Sequence, residues 1–203
     1  MIRYPLAAIL ALLLLSLTAC GGGTGDEEAA EPGTTPQPTS PAVATPMSTP
    51  IITDNLLEFP DKGYSVRFPE GWTPLPDFLP GPGFSVDAFF GPEEIEGVKP
   101  NISVTCEEIP EGMSEKEYVD NKVDVVRQIT QVEPEVSSRQ VGGREAVMYR
   151  ITREDTEPPV EKTEVIFATE ACGWGIALTV PLSDRTSYYD IYDKFLESFR
   201  LLP

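Results

Sequence analysis

Apolar and polar positions alternate in short runs along the last three quarters of the chain, the pattern of half-buried β-strands. The clearest runs cover residues 64–68, 84–90 and 102–106. A nearly continuous apolar run at 163–169 predicts an interior strand, and residues 172–180 carry large apolar side chains at alternate positions. Two further strands flank Gly142-Gly143, a dipeptide that favours a two-residue hairpin turn.

Two segments instead show the helical period. Ser114 and Glu117 form a capping-box sequence, which marks a helix start. The apolar stripe that follows consists of Val119, Val123, Val126 and Ile129. A second stripe, near the C-terminus, consists of Tyr188, Ile191, Phe195 and Phe199. Consecutive strands with short links and two helices predict an α+β fold, an antiparallel β-sheet flanked by helices.

The first 19 residues predict a secretory signal peptide, because Arg3 precedes a short apolar run and small residues before a cleavage site. The run is too short to span a membrane, which takes about 20 residues. The ending Leu17-Thr18-Ala19-Cys20 resembles the bacterial lipobox. That resemblance implies a diacylglyceryl group on Cys20, with acyl chains such as palmitate holding the protein on the outer face of a membrane. The alternative is an ordinary signal peptide followed by a chance cysteine.

Residues 20–52 predict a disordered tether, since they are rich in Gly, Thr, Pro and acidic residues and nearly lack bulky apolar ones. The composition then changes, and residues 53–203 suit one domain with one core.

Charge excludes one class of partner. The chain has 15 basic and 33 acidic residues, a formal charge of −18. Cleavage before Cys20 removes Arg3 and no acid, which makes the charge −19. A surface this acidic repels phosphate backbones, so nucleic acid is not an expected partner.

The chain lacks the residues of most known catalytic sites. It has no histidine, which excludes Ser-His and Cys-His nucleophiles and imidazole metal sites. No phosphate-binding or calcium-loop motif occurs. We therefore predict no enzyme activity, cofactor or metal, with a carboxylate-based hydrolase as the catalytic alternative. Cys106 and Cys172 are predicted either to pair as a disulfide or to be buried free thiols.

One segment is a candidate contact surface. Residues 73–83, TPLPDFLPGPG, predict a loop stiffened by four prolines. Phe78 and Leu79 in it either contact a protein partner or cover the core. The neighbouring acidic run at 93–96 is expected to be solvated.

Several of these features together resemble the PsbP-like superfamily, named after an extrinsic subunit of photosystem II. The strand at 63–68 ends in Pro69-Glu70-Gly71-Trp72, one long helix follows the third strand, the Gly-Gly hairpin leads into residues 144–147, and a closing helix ends at 195–199. The resemblance implies an antiparallel sheet with helices on both faces, and members that are mostly scaffolds and binding modules. Together with the lipobox resemblance, the predicted tether and the absence of catalytic motifs, it leads us to predict a protein-binding accessory module on the extracytoplasmic face of the cell membrane. The alternative function is binding of a small ligand in a pocket between sheet and helix.

Overall fold

The computed structural model describes residues 51–53 and 55–203. The predicted signal peptide, Cys20 and nearly all of the predicted tether lie outside the described residues. The strands are β1 (Ile51–Thr53), β2 (Leu56–Phe59), β3 (Tyr64–Arg67), β4 (Thr73–Gly81), β5 (Phe84–Phe90), β6 (Asn101–Glu107), β7 (Glu135–Val141), β8 (Arg144–Arg153), β9 (Val160–Ala168), β10 (Gly173–Pro181) and β11 (Arg200–Leu201). The helices are α1 (Glu115–Thr130) and α2 (Thr186–Ser198), with 3-10 turns at Pro60–Lys62 and Leu182–Asp184.

The strands form two antiparallel sheets. The larger one has seven strands in the order β4-β5-β6-β10-β9-β8-β7, and the smaller one has four in the order β1-β2-β3-β11. Every pair of neighbouring strands runs antiparallel. The predicted fold class, an antiparallel α+β fold with helices, is therefore confirmed.

Both faces of the larger sheet are covered, because successive side chains of a strand point to opposite faces. On β9, Val165 and Phe167 belong to the main core cluster, together with residues from β2, β3 and α2. Ile166 and Ala168 belong to a second cluster with Tyr118 of α1. Thus α2 and the smaller sheet cover one face, and α1 covers the other.

The turns and caps follow the local sequence. Gly142 and Gly143 have φ of 58° and 78°, the left-handed values that a two-residue hairpin between β7 and β8 requires. The capping box of α1 is present, with the Ser114 hydroxyl accepting from the Glu117 N–H and the Glu117 carboxylate accepting from the Ser114 N–H. Both predictions are confirmed.

The predicted buried stripe of α1 is partly wrong. Ile129 is 41% exposed, and Tyr118 is the residue of this helix that is fully buried. The reason lies on β10, where Gly173 has no side chain. A Cβ at Gly173 would stand 2.1 Å from Cζ of the Tyr118 ring, so the ring occupies the space that the glycine leaves.

The predicted loop at 73–83 is also wrong for most of its length, since residues 73–81 form β4. This strand lies at one edge of the larger sheet. Proline is tolerated at an edge, where its missing N–H costs no ladder hydrogen bond. No helix among the described residues is long and apolar enough to cross a membrane.

Candidate functional site

The edge strand β4 contains a wide bulge. Leu75 pairs with Ala88 and Leu79 pairs with Val86, so three residues of β4 stand opposite Asp87 alone. Asp77, in the middle of the bulge, has a φ of 52°. This left-handed conformation is uncommon outside glycine, although Asp and Asn adopt it more readily than other residues.

A buried carboxylate holds the bulge in place. Asp87 is only 1% exposed, and its Oδ1 accepts from the backbone N–H of Asp77 at 2.8 Å. Lys62 Nζ lies 2.5 Å from the same oxygen and 2.7 Å from Oδ1 of Asp77. The hydroxyl of Tyr64 donates to Oδ2 of Asp87 at 2.6 Å. The bulge is therefore tied to β5, to β3 and to the turn before β3.

The proton on Tyr64 is firmly held. Burial raises the pKa of this phenol well above 10, and the neighbouring charge of Asp87 raises it further. Tyr64 thus remains the donor to Asp87 at neutral pH. The arrangement therefore stabilises the bulge.

Apolar side chains project from this pinned bulge. Leu75 is 44% exposed, while Phe78 and Leu79 are half-buried. The Phe78 ring packs edge-on against Phe90, with ring centroids 5.5 Å apart. Because cross-strand partners share a face, Leu75 and Leu79 lie on the same face as the β5 residues opposite them. We refer to Leu75, Phe78 and Leu79 as the β4 patch.

The alternative prediction, that Phe78 and Leu79 cover the core, agrees with part of this geometry. Val86 and Ala88, the partners of Leu79 and Leu75, are both buried. Neither Phe78 nor Leu79 belongs to the two core clusters of the described residues. The patch thus lies at the margin of the sheet, where one side of each ring or chain can pack inward while the other side stays open.

The remaining residues predicted from sequence lie elsewhere. Cys106 of β6 and Cys172, just before β10, are joined as a disulfide with their Cα atoms 5.8 Å apart. Cys20 lies outside the described residues. In the acidic run at 93–96 the three glutamates are exposed, and Glu96 accepts a hydrogen bond from the Ser183 hydroxyl at 2.9 Å.

A cluster of buried charged side chains beneath α1 is the second candidate for a functional site. Glu164 of β9 accepts from the Tyr149 hydroxyl, and Lys162 Nζ lies 2.7 Å from its Oε2. Burial alone raises the pKa of the Glu164 carboxyl, but Lys162 and the Tyr149 hydrogen bond outweigh burial and bring the pKa below its ordinary value. This carboxylate is therefore ionised and paired.

Glu107 on β6 is satisfied in the same way. It accepts from the Tyr118 hydroxyl at 2.7 Å, and Lys122 Nζ lies 2.5 Å away. Every buried side-chain nitrogen and oxygen of the described residues has a hydrogen-bond partner. A polar group left unpaired in the interior would indicate a missing ligand, and the described residues provide none. We interpret this cluster as the means by which α1 is held on the sheet.

Sequence reasoning selected Phe78 and Leu79 but missed the residues that position them. Asp77 and Asp87 are separated by 10 residues, and Lys62 and Asp87 by 25. The sequence carries no clear signal for Asp87, because the predicted apolar face of its strand is Phe84, Val86, Ala88 and Phe90 and places Asp87 on the opposite face.

Comparison with known proteins supports the fold. No family model and no curated protein matches the chain. The solution structure of cyanobacterial PsbP (CyanoP) from Synechocystis is similar with 17% identity and a TM-score of 0.47, over 80% of this chain and 98% of that one. The crystal structure of LpqN, involved in cell envelope biogenesis of Mycobacterium tuberculosis, is similar with 11% identity and a TM-score of 0.50, over 69% of this chain and 83% of that one. The superposition with LpqN shows that the two chains share the antiparallel α+β fold.

Proposed function

We propose that this chain is a lipid-anchored, extracytoplasmic binding module without catalytic activity, and that it holds a protein partner through the β4 patch. The observation that carries the proposal is Leu75, which is 44% exposed on a strand whose backbone is pinned by Asp87. A rigid surface loses little conformational entropy when it binds. The predicted lipobox at Cys20 would supply the anchor, and LpqN, a protein of the same fold, is involved in cell envelope biogenesis.

The sequence of β4 defines how a partner makes contact. Pro74, Pro76 and Pro80 lie within this edge strand, and prolines remove the N–H groups that an added strand would use. The partner therefore binds through side chains and not by extending the sheet. Since the chain carries a charge of −18, the complementary surface has an apolar centre with a basic rim.

The test is affinity capture from detergent-solubilised membranes with the lipidated protein as bait. We compare Leu75→Ala with Ile129→Ala, because the two side chains have similar exposure, 44% and 41%, but lie on β4 and α1. The proposal makes Leu75 one of the few residues that dominate the interface, and truncation of such a residue costs more than about 1 kcal/mol, so Leu75→Ala should weaken partner binding about fivefold or more. Ile129→Ala should leave it unchanged.

Two outcomes would count against the β4 patch. If Ile129→Ala reduces capture as much as Leu75→Ala, the partner is held by unspecific hydrophobic contact. If neither variant changes the captured amount, the interface lies elsewhere. For Phe78→Ala and Leu79→Ala, the melting temperature is measured together with capture. A large drop in melting temperature would show that these two side chains cover the sheet.

A further inference from the structure

A surface depression of about 510 Å³ lies between α2 and the smaller sheet. None of its lining residues belongs to β4, and it matches the place that the small-ligand alternative predicts, between a sheet and a helix. The smaller sheet contributes residues from β2, β3 and β11, and α2 contributes its last turns. The lining residues are Leu56, Ser65, Arg67, Lys194, Glu197, Ser198 and Arg200.

The charge of this depression is opposite to that of the whole chain. Its lining has three cations and one carboxylate, a local formal charge of +2, whereas the chain has a charge of −18. Most basic side chains of the described domain are paired with carboxylates, as Lys62, Lys162 and Arg127 are. Within the described residues, Nζ of Lys194 has no ion-pair or hydrogen-bond partner.

Arg200 is held in place by hydrogen bonds from one nitrogen of its guanidinium group, and the other two nitrogens can still donate to a ligand. Its Nη1 donates to the backbone oxygens of Glu197, at 2.6 Å, and Phe199, at 2.7 Å. These carbonyls belong to the C-terminal end of α2, which carries partial negative charge. Arg200 therefore offsets the helix end that would otherwise repel an anion. Its Nε and Nη2 make no hydrogen bond to the described residues.

The walls of the depression are tied to each other. The backbone N–H of Arg67 on β3 donates to Oγ of Ser198 on α2 at 3.0 Å, and that hydroxyl donates to the Phe195 carbonyl at 2.8 Å. The spacing between β3 and α2 is thus fixed before any ligand arrives. The depression is open to solvent and lined almost entirely by polar side chains, so it suits a hydrated, charged ligand better than an apolar one.

We propose that this depression binds a small oxyanion with two or more negative charges, of the phosphate-monoester or pyrophosphate class. Arginine guanidinium groups match phosphate oxygens in a planar, two-point geometry, and lysine adds a point charge. A singly charged carboxylate would leave the local charge of +2 only half neutralised. The phosphate belongs either to a free metabolite or to a lipid headgroup. The charge of the whole chain disfavours an anionic membrane surface, so a free ligand is the expected source.

The test is isothermal titration calorimetry of the full chain in detergent with inorganic pyrophosphate, in a phosphate-free buffer. Lys194→Ala should weaken binding about two- to fivefold, as expected for removing one exposed charge contact. Glu197→Gln removes the opposing carboxylate and should tighten binding by a similar factor. Lys99→Ala is the matched control, since Lys99 is an exposed lysine in the loop before β6, and it should leave the affinity unchanged.

The proposal fails if the wild-type chain gives no heat of binding at millimolar pyrophosphate. It also fails if Lys99→Ala and Lys194→Ala weaken binding equally, because binding would then be general charge attraction. Sedimentation of the Cys20→Ala chain with phosphatidylglycerol vesicles distinguishes the two sources. Absence of sedimentation is expected and indicates a free ligand, whereas sedimentation that pyrophosphate reverses would identify the oxyanion as a headgroup.

Discussion

The substitution Asp87→Asn tests how the β4 bulge is held. The Asp87 carboxylate is 1% exposed and has three partners: Lys62 Nζ at 2.5 Å, the Tyr64 hydroxyl at 2.6 Å and the Asp77 N–H at 2.8 Å. Asparagine has nearly the same shape, but it is uncharged and only one of its two terminal atoms accepts hydrogen bonds. The substitution therefore leaves Lys62 in the interior with half of its counter-charge.

The expected cost follows from the contacts that remain. Removing one partner of a buried ion pair destabilises a protein by about 3–5 kcal/mol. Lys62 keeps its second partner, Asp77, at 2.7 Å, so we expect the lower end, about 3 kcal/mol. For a domain of this size that loss corresponds to a fall in melting temperature of about 6–12 °C.

Urea unfolding followed by tryptophan fluorescence measures this loss, because Trp72 and Trp174 are both buried in the core. Asp155→Asn is the control: Asp155 pairs with Arg153 at 2.7 Å but is largely exposed, so its substitution should leave the urea midpoint nearly unchanged. If stranding of Lys62 causes the cost, adding Lys62→Met to Asp87→Asn should restore part of it. A loss below about 1 kcal/mol for Asp87→Asn, or a double variant no more stable than the single one, would refute this account of the bulge.

Two further predictions concern the core. Four tyrosines have pKa values that are raised chiefly by burial: Tyr64, Tyr118, Tyr149 and Tyr192. In the unfolded chain they ionise near pH 10, whereas in the folded chain they stay protonated. The free energy of unfolding should therefore be unaffected below pH 10 and fall above it, by about 1.4 kcal/mol per tyrosine and pH unit. The more exposed Tyr188 and Tyr189 can ionise in the folded protein, but the tyrosinate absorbance of the four buried residues should appear together with the loss of circular dichroism. Ionisation of all the tyrosines with native circular dichroism would contradict this. Reducing the disulfide between Cys106 and Cys172, which are 66 residues apart, should lower the free energy of unfolding by up to about 4 kcal/mol on the chain-entropy model. An unchanged urea midpoint under reducing conditions would show that the disulfide adds no stability.

The elements that could be predicted from sequence are those with local causes. The hairpin between β7 and β8 depends on two adjacent glycines with positive φ, and the start of α1 depends on Ser114 and Glu117, three residues apart. Each prediction needed only neighbouring residues. The strands could be predicted for the same reason, since the alternation of apolar and polar residues within a strand indicates which of its faces is buried.

The errors arise from contacts between distant segments. Tyr118 is buried because Gly173, on another element, leaves room for its ring. β4 was read as a loop because prolines break a strand in the middle of a sheet, and only the tertiary structure shows that this strand lies at an edge. Likewise, the sequence does not show that Asp77 and Lys62 contact Asp87, because these contacts form only when the turn before β3, the edge strand β4 and β5 come together in the folded chain.

The two candidate surfaces differ in charge, and this difference predicts how salt should separate them. A partner with a basic rim at the β4 patch is drawn by the field of the whole acidic chain, which salt screens beyond about 8 Å at physiological ionic strength. In the basic depression the attraction acts at contact distance, whereas the repulsion of an anion comes from acids spread over the rest of the surface. Salt therefore removes attraction at the β4 patch and mainly removes repulsion at the depression. Partner binding should weaken with added sodium chloride more steeply than pyrophosphate binding does, and an equal salt dependence would contradict this account of the two surfaces.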